Sequence, residues 1–357
     1  MSDYRKTKLY DSHQSLKAKL VPFSGFWMPL QYSSIIKEHH HVRSKCGLFD
    51  VSHMGEFIVS GNNAKTFLQN VTTNDIQNLE AGKVQYSAFC NDSGGVIDDL
   101  LVYHLGDYYM LVVNASNIEK NFEWLSSKLI DDVSLEDKSD SMSLLALQGP
   151  LSRTHLKKLY PKIEDLKYYE TLLSDDNEVV VARTGYSGEL GFEIYAPNSI
   201  ILKLWNEILS LSDDILPVGL GCRDSLRLEM GYCLYGNELN EQTTTIEAGL
   251  SWITKHETSF IGSKSMQDNL PSKKLIALIS EERAIPRSGY KIFSKEKKEV
   301  GVVTSGGMSP CLKKGIALAY VDYEMRLEKE FLIGIRDNFF IFEKTKLPFY
   351  KNGTYLK

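Results

Sequence analysis

The sequence predicts an α+β fold that ends in a small all-β unit, and three observations carry the expectation. Strand-like and helix-like segments alternate over most of the chain. Two of the strand pairs are joined by glycine-rich turns and read as antiparallel hairpins, which favours α+β over a doubly wound sheet. From Lys273 onward the texture changes to short strands and turns with almost no helix, a spacing that suggests a small barrel or sandwich. A chain of 357 residues is long enough for two or three domains.

The chain opens with a short mixed segment and an aromatic loop, residues 21–30, bracketed by Pro22 and Pro29. A helix is expected over residues 33–46, with Ser33 as its N-cap and Gly47 as its stop. His39, His40 and His41 lie on it, but consecutive helical residues point about 100° apart, so they do not face one metal and read as structural. Residues 48–55 lead into a strand at 56–60, and a helix at 63–71 starts from Asn62 or Asn63. Strands at 84–90 and 96–105 flank Asp92-Ser93-Gly94-Gly95. The Asp and Ser bond back to local backbone and the glycines tolerate positive φ, so this stretch reads as a hairpin.

A strand at 108–114, a helix at 117–129, a strand at 143–147 and, from Pro150, a helix to residue 160 follow. The second hairpin pairs residues 178–186 with 192–196 across Ser187-Gly188-Glu189-Leu190-Gly191. Helices come next at 200–211 and, after Gly219-Leu220-Gly221, at 223–230. Polar, lysine-rich residues 263–274 mark a domain boundary. Six strands follow at 275–280, 290–293, 300–304, 316–321, 331–335 and 339–344.

Hydrophobic residues at 43% and charged residues at 24% fit an ordinary globular protein with ample core. The net charge of −5 argues against a general basic grip on nucleic acid. Five cysteines, odd in number and without a Cys-x-x-Cys pair, support neither a disulfide framework nor a zinc knuckle. They are expected to be reduced thiols in a cytoplasmic protein. No apolar signal region is read at the N-terminus, and no run reaches the ~20 apolar residues of a membrane span.

The common phosphate and metal motifs are missing. There is no Gly-x-x-x-x-Gly-Lys-Ser/Thr loop, no Gly-x-Ser-x-Gly elbow and no His-Glu-x-x-His, and Gly219-Leu220-Gly221 lacks the third glycine of a dinucleotide site. The oddity is Asp98-Asp99 inside a strand, where aspartate is depleted. Side chains alternate faces, so one of the two must point toward whatever the apolar face covers. A carboxylate there has to be paired, protonated or functional. One exposed Asp and one bonded to nearby backbone would meet the same pattern.

Other polar groups sit in suggestive places. Tyr86 lies on the strand opposite Asp98, Asn114 ends a neighbouring strand, and Tyr186 and Glu193 bracket a glycine-rich loop. Arg223 and Arg227 are four apart on one helical face. Glu193 suits paired N–H donors of a planar heterocycle, an arginine suits a carboxylate on the same ligand, and tyrosines stack on rings. Each also has an ordinary structural explanation. The residues alone lead to an α+β enzyme with a carboxylate-bearing pocket.

Assembled, the motifs resemble the glycine-cleavage T-protein (aminomethyltransferase) family nearly end to end. The matching segments include Phe23-Ser24-Gly25-Phe26-Trp27-Met28-Pro29-Leu30, Asp50-Val51-Ser52-His53-Met54-Gly55 and Gly94-Gly95-Val96-Ile97-Asp98-Asp99-Leu100. Further on come Gln148-Gly149-Pro150, Arg183-Thr184-Gly185-Tyr186-Ser187-Gly188-Glu189-Leu190-Gly191-Phe192-Glu193 and Gly221-Cys222-Arg223-Asp224-Ser225-Leu226-Arg227. Leu234-Tyr235-Gly236-Asn237-Glu238 and Val303-Thr304-Ser305-Gly306 complete the set.

The resemblance implies a three-domain folate-binding fold. Its first domain would be residues 1–50 plus about 140–225, its second 51–139 plus about 226–265, and its third a β-barrel-like domain at 273–357. It implies transfer of the methylene from an aminomethyl-dihydrolipoyl H-protein to tetrahydrofolate with release of ammonia. Tetrahydrofolate would be a co-substrate, with no tightly bound cofactor and no metal. The lipoylated H-protein would be the partner, with no nucleic acid or membrane involved, and the enzyme is expected to act as a monomer.

By the same carry-over Asp98 would lie at the reacting folate nitrogens as the catalytic group, Glu193 would hold the pterin edge, and Arg223 would sit at the folate site. Tyr86, Asn114 and Tyr186 would line the pocket. Arg287 and either Tyr350 or Tyr355 would reach the glutamate tail. Two relatives of the fold are weighed as alternatives. One is a folate-dependent demethylase of a small methylated compound, disfavoured by the intact Asp98-Asp99 and Asp50-Val51-Ser52-His53-Met54. The other is a non-enzymatic folate-binding iron–sulfur assembly factor, whose cysteine motif is replaced here by Glu257-Thr258-Ser259-Phe260-Ile261-Gly262-Ser263-Lys264.

Overall fold

The computed structural model describes residues 4–357; residues 1–3, assigned from sequence to the first domain, lie outside the described residues. Two mixed α/β layers and a barrel make up the fold. The first sheet has six strands in the order Thr171–Leu173, Val180–Ala182, Gly191–Pro197, Met142–Gln148, Cys46–Asp50, Ile215–Pro217. All its pairings are antiparallel except that of Ile215–Pro217 with Cys46–Asp50. The second sheet has five antiparallel strands, ordered Val84–Cys90, Val96–His104, Tyr108–Val113, Gly55–Ser60, Ser134–Asp137.

Strand alternation gives each sheet two apolar faces, and those faces dictate the layering. Leu145, Leu147, Phe192 and Ile194 point outward from the first sheet onto helix Ile201–Ser210, whose Trp205 is buried. Phe49, Ala146 and Tyr195 point the other way and meet Met110, Val112 and Tyr103 of the second sheet. The far face of the second sheet, with Phe57, Leu100 and Leu111, is covered by helices Ala64–Val71 and Ile118–Ser126. The six strands expected after Lys273 all form, and they close into a barrel ordered Lys273–Ser280, Gly315–Asp322, Glu299–Met308, Lys291–Phe293, Glu330–Ile335, Asn338–Thr345. Closure leaves no open edge.

Several local expectations are corrected. The helix expected at 33–46 is Ile35–Ser44, and its cap is Ser34, whose hydroxyl accepts from the Lys37 N–H. Ser33 is diverted because its backbone N–H donates to Glu38 at 2.7 Å. Gly47 does not stop that helix: it sits in strand Cys46–Asp50, where a Cβ would come within 2.6 Å of Val42 and Val218. The aromatic loop is a hairpin, Lys19–Phe23 with Phe26–Gln31, turning at Ser24 and Gly25, both at positive φ. Pro22 is tolerated because its strand is an edge strand. The helix after Pro150 is only Ser152–Leu156, the strand at 178–186 shrinks to Val180–Ala182, and the helix expected from 223 begins at Leu220.

Buried charge bolts the barrel to the rest. The Glu229 carboxylate accepts from His39 at 3.0 Å, Arg43 at 2.9 Å, Ser309 at 2.5 Å and the Cys311 N–H at 3.0 Å. Nearby, Arg227 pairs with Glu238 at 3.3 Å and donates to Ser305 at 2.9 Å. Burial opposes ionisation of Glu229, but its donors outweigh burial and hold the carboxyl at about 2, below the ~4.3 of a free glutamate. Its contribution to stability is therefore complete above that ordinary value and is lost as pH falls toward 2. Glu229→Ala is expected to destabilise by about 3–5 kcal/mol, as read by urea unfolding at neutral pH, since it leaves the donors of His39, Ser309 and Cys311 without their acceptor and Arg43 with Glu189 as its one carboxylate partner. The variant should also show a flatter loss of stability between about pH 4 and 2 than wild type.

Candidate functional site

One large cavity lies where the inner faces of both sheets, helix Leu220–Met230 and the C-terminal residues meet. At about 700 Å³ it falls within the size range of small-ligand sites. The first sheet contributes Glu193 and Tyr195, the second Tyr86, Asp99, Leu101 and Val112. Aromatic residues join them from other segments: Tyr168, Tyr169, Tyr186, Tyr232, Trp252 and Tyr355. Tyr86 packs on Trp252, which is 57% exposed, with ring centroids 5.8 Å apart; Tyr186 stacks on Tyr232 at 5.6 Å. Such faces suit a flat ring sliding between them.

The hairpin decides where the paired aspartates go. Ala88 pairs with Asp99 and Phe89 with Asp98, so the two carboxyls leave the strand on opposite sides. Asp99 faces the cavity, where Tyr86 donates its hydroxyl to Oδ2 at 2.8 Å and the Asn114 amide donates to Oδ1 at 2.9 Å. Asp98 turns away and is fully buried among Asn114, Asn117 and Asn121. Burial pushes the Asp99 carboxyl above the ordinary aspartate range, against the pull of its Tyr86 and Asn114 hydrogen bonds and the Arg223 charge. A raised proton affinity is what a general base near neutral pH requires.

Glu193 forms the second buried carboxylate of the wall. Thr184 donates to its Oε2 at 2.6 Å, and the Tyr103 hydroxyl lies 3.4 Å from the same oxygen. Tyr195 also lies 3.5 Å from Oε2, and none of these three bonds engages Oε1. Burial raises the Glu193 carboxyl, offset in part by Thr184 and the Arg223 charge. Arg223 makes no ion pair among the described residues; its guanidinium lies 4.3 Å over the Tyr186 ring and faces the cavity. Tyr186 is pinned in turn by donating its hydroxyl to the Cys233 carbonyl.

Of the residues singled out in the sequence, Tyr86, Asn114, Tyr186, Glu193 and Arg223 line this one cavity. Asp98 and Arg287 do not. Asp98 belongs to the opposite face of its strand, and Arg287 is exposed in the loop before strand Lys291–Phe293. Of the two C-terminal tyrosines, Tyr355 lines the cavity while Tyr350 packs under Arg43, 4.2 Å from its guanidinium. The sequence reading assigned the catalytic carboxylate to Asp98, not Asp99, and missed Tyr168, Tyr169, Tyr232 and Trp252. Tyr169 carries one clue in the structure: φ of 65, rare for a bulky residue, held by bonds to Arg183 and Val84 backbone. His39, Glu229 and Cys311 converge closely enough to suit a metal, but Arg43, Ser309 and the Cys311 N–H already occupy the Glu229 oxygens.

An α+β scaffold that gathers buried carboxylates, a guanidinium and aromatic side chains around one cavity is that of a small-molecule enzyme. Residues 9–258 match the family model of the GCVT N-terminal domain, and residues 273–351 that of the glycine cleavage T-protein C-terminal barrel domain. The aminomethyltransferase of Halothermothrix orenii is 45% identical over 97% of this chain and 99% of its own; that of Flavobacterium psychrophilum is 44% identical with the same coverage. The crystal structure of glycine cleavage system aminomethyltransferase T from Bartonella henselae superposes with a TM-score of 0.94 at 33% identity, covering 99% of this chain and all of that one. The chain belongs to the glycine cleavage T-protein family and is an enzyme of the aminomethyltransferase kind. The demethylase and assembly-factor alternatives are not favoured by these relatives. Among the described residues no helix is long and apolar enough to cross a membrane.

Thr184→Val removes the short bond to Glu193 without changing shape. It is expected to cost about 1–3 kcal/mol, the penalty of a buried acceptor that loses its donor, measured by thermal or urea unfolding.

Proposed function

We propose that the cavity receives tetrahydrofolate and that the enzyme passes to it the methylene of an aminomethyl group carried on the lipoyl arm of H-protein. Ammonia and the reduced lipoyl thiol leave. The observation that carries this reading is the Asp99 carboxylate, held by Tyr86 and Asn114 in the same wall system as Glu193. Glu193 would accept paired N–H donors from the pterin edge. Asp99, rather than Asp98, would then meet the nitrogens that take up the methylene, because Asp99 is the one of the pair on the cavity wall. Its ionised carboxylate would orient the attacking nitrogen and accept its proton. Arg223 and Tyr355 would face the distal, anionic part of the folate, and Arg287 would have to approach from outside the cavity.

A three-domain division supports the same reading. We take residues 4–50 with about 140–225 as the first unit, 51–139 with about 226–265 as the second, and 273–357 as the third. The membership of the two sheets and the barrel favours it. A monomeric cytoplasmic enzyme using folate as co-substrate, with no resident cofactor or metal, is the proposal that goes with it.

The test is turnover. Lipoylated H-protein charged with the aminomethyl group, mixed with enzyme and tetrahydrofolate, should give 5,10-methylenetetrahydrofolate and ammonia; turnover of dimethylsulfoniopropionate instead would refute the reading. Asp99→Asn should lower kcat by about 10²–10⁴-fold with little change in unfolding midpoint. Glu193→Gln should raise the KM for tetrahydrofolate about tenfold, the loss of a charge-assisted hydrogen bond. In the wild type, kcat/KM should fall on acidification through a pH above the ~3.9 of free aspartate, because the working form of Asp99 is ionised and its carboxyl is raised.

A further inference from the structure

Asp98 has no place on the cavity wall, yet its carboxylate is 0% exposed and fully bonded. Four donors converge on it: the Asn114 backbone N–H at 3.1 Å, and the side-chain amides of Asn114 at 2.8 Å, Asn117 at 2.8 Å and Asn121 at 2.6 Å. Asn114 ends the neighbouring strand in extended backbone, Asn117 is the N-cap residue of helix Ile118–Ser126, and Asn121 lies in its first turn, four residues on. A cage of N–H donors favours the ionised carboxylate. One of the three amides is shared. The Asn114 Nδ2 group donates to Asp98 Oδ1 and also to Asp99 Oδ1 at 2.9 Å, bridging a core carboxylate to the cavity carboxylate.

We propose that Asp98 is a positioning residue for the transfer reaction: it anchors Asn114, which sets the Asp99 carboxylate in the cavity wall, and its buried negative charge strengthens the hold of Asp99 on a proton. This rests on the reading that Asp99 meets the reacting nitrogens. An ordinary strand aspartate needs one or two bonds to local backbone; here three side chains of another element are committed to one. Burial first, and then the neighbouring charge, push the Asp98 carboxyl up to about 7, so the pair resists carrying two charges at once. The coupling is reciprocal, so a charge on Asp98 raises the proton affinity of Asp99 as the charge on Asp99 raises that of Asp98.

The other groups facing the pair set the background for any pH effect. Tyr86 from strand Val84–Cys90 donates to Asp99, and Arg223 from helix Leu220–Met230 opposes it with positive charge. Tyr186 and Cys233 face Asp99 from the remaining cavity wall. Tyr235 faces Asp98, its hydroxyl taken by Lys120 at 2.8 Å.

The test is the pH profile of kcat/KM for the full-length enzyme, from about pH 5 to 9, with aminomethyl-charged H-protein and tetrahydrofolate. Asp98→Asn removes the charge, so the Asp99 carboxyl loses its repulsive neighbour and the acid limb should move down by about one pH unit. In the same variant kcat should drop about tenfold, with the tetrahydrofolate KM changed less than about threefold, the pattern of an interaction felt in the transition state. The double variant D98N/N121D returns one carboxylate to the cage and should bring the limb back. An unmoved limb in D98N, whether or not kcat falls, overturns the proposal, and so does failure of N121D to restore it. If D98N does not fold, N121D alone adds charge to the cage and should move the limb up; no movement there has the same consequence. Wild-type turnover in D99N would instead overturn the underlying reading of Asp99, whatever D98N does.

Discussion

Two like charges on adjacent residues of one strand are the constraint around which this enzyme is organised. Neighbouring strand residues must face opposite ways, so a strand at the boundary between a core and a cavity delivers one carboxylate to each. Each then needs its own partners. Asp98 draws Asn114, Asn117 and Asn121 from the segment that leads into and begins the helix covering the core face, and Asp99 draws Tyr86 from the next strand. Asn114 serves both, since it lies where the neighbouring strand hands over to that helix. The position of helix Ile118–Ser126 against the second sheet is thereby tied to the geometry of the cavity wall.

The cavity exists because three structural units are held apart and together at once. The inner faces of the two sheets pack through Phe49, Tyr103, Met110 and Tyr195, and the cavity lies beside that contact. The barrel keeps its station through Glu229 and Arg227, whose partners include Ser309 and Ser305 of the barrel and its loops. Buried ion pairs of this kind contribute little net stability, but removing one partner is severe. Their directional bonds suit a seam whose exact offset sets the width of a binding site. The C-terminal residues close the last side: Thr354 bonds Glu189 at 2.5 Å, and Tyr355 packs on Tyr168 with ring centroids 5.5 Å apart.

The sequence by itself determined the α+β class, the six barrel strands and most of the helices, because these follow from local periodicity and turn residues such as Asp92-Ser93-Gly94-Gly95. It also marked the Asp98-Asp99 pair as anomalous and picked out Tyr86, Asn114, Tyr186, Glu193 and Arg223, all of which line the cavity. Short strands such as Cys46–Asp50 and Thr171–Leu173 were not legible, since five buried residues or three show no alternation to read. Only the tertiary structure decided which aspartate faces the cavity. Period-two alternation says that Asp98 and Asp99 point apart but is blind to which side the second sheet packs on. The same limit hid Tyr168, Tyr169, Tyr232 and Trp252: they reach one cavity from segments far apart in the chain, and proximity of that kind is made by packing, not by any pattern along the sequence.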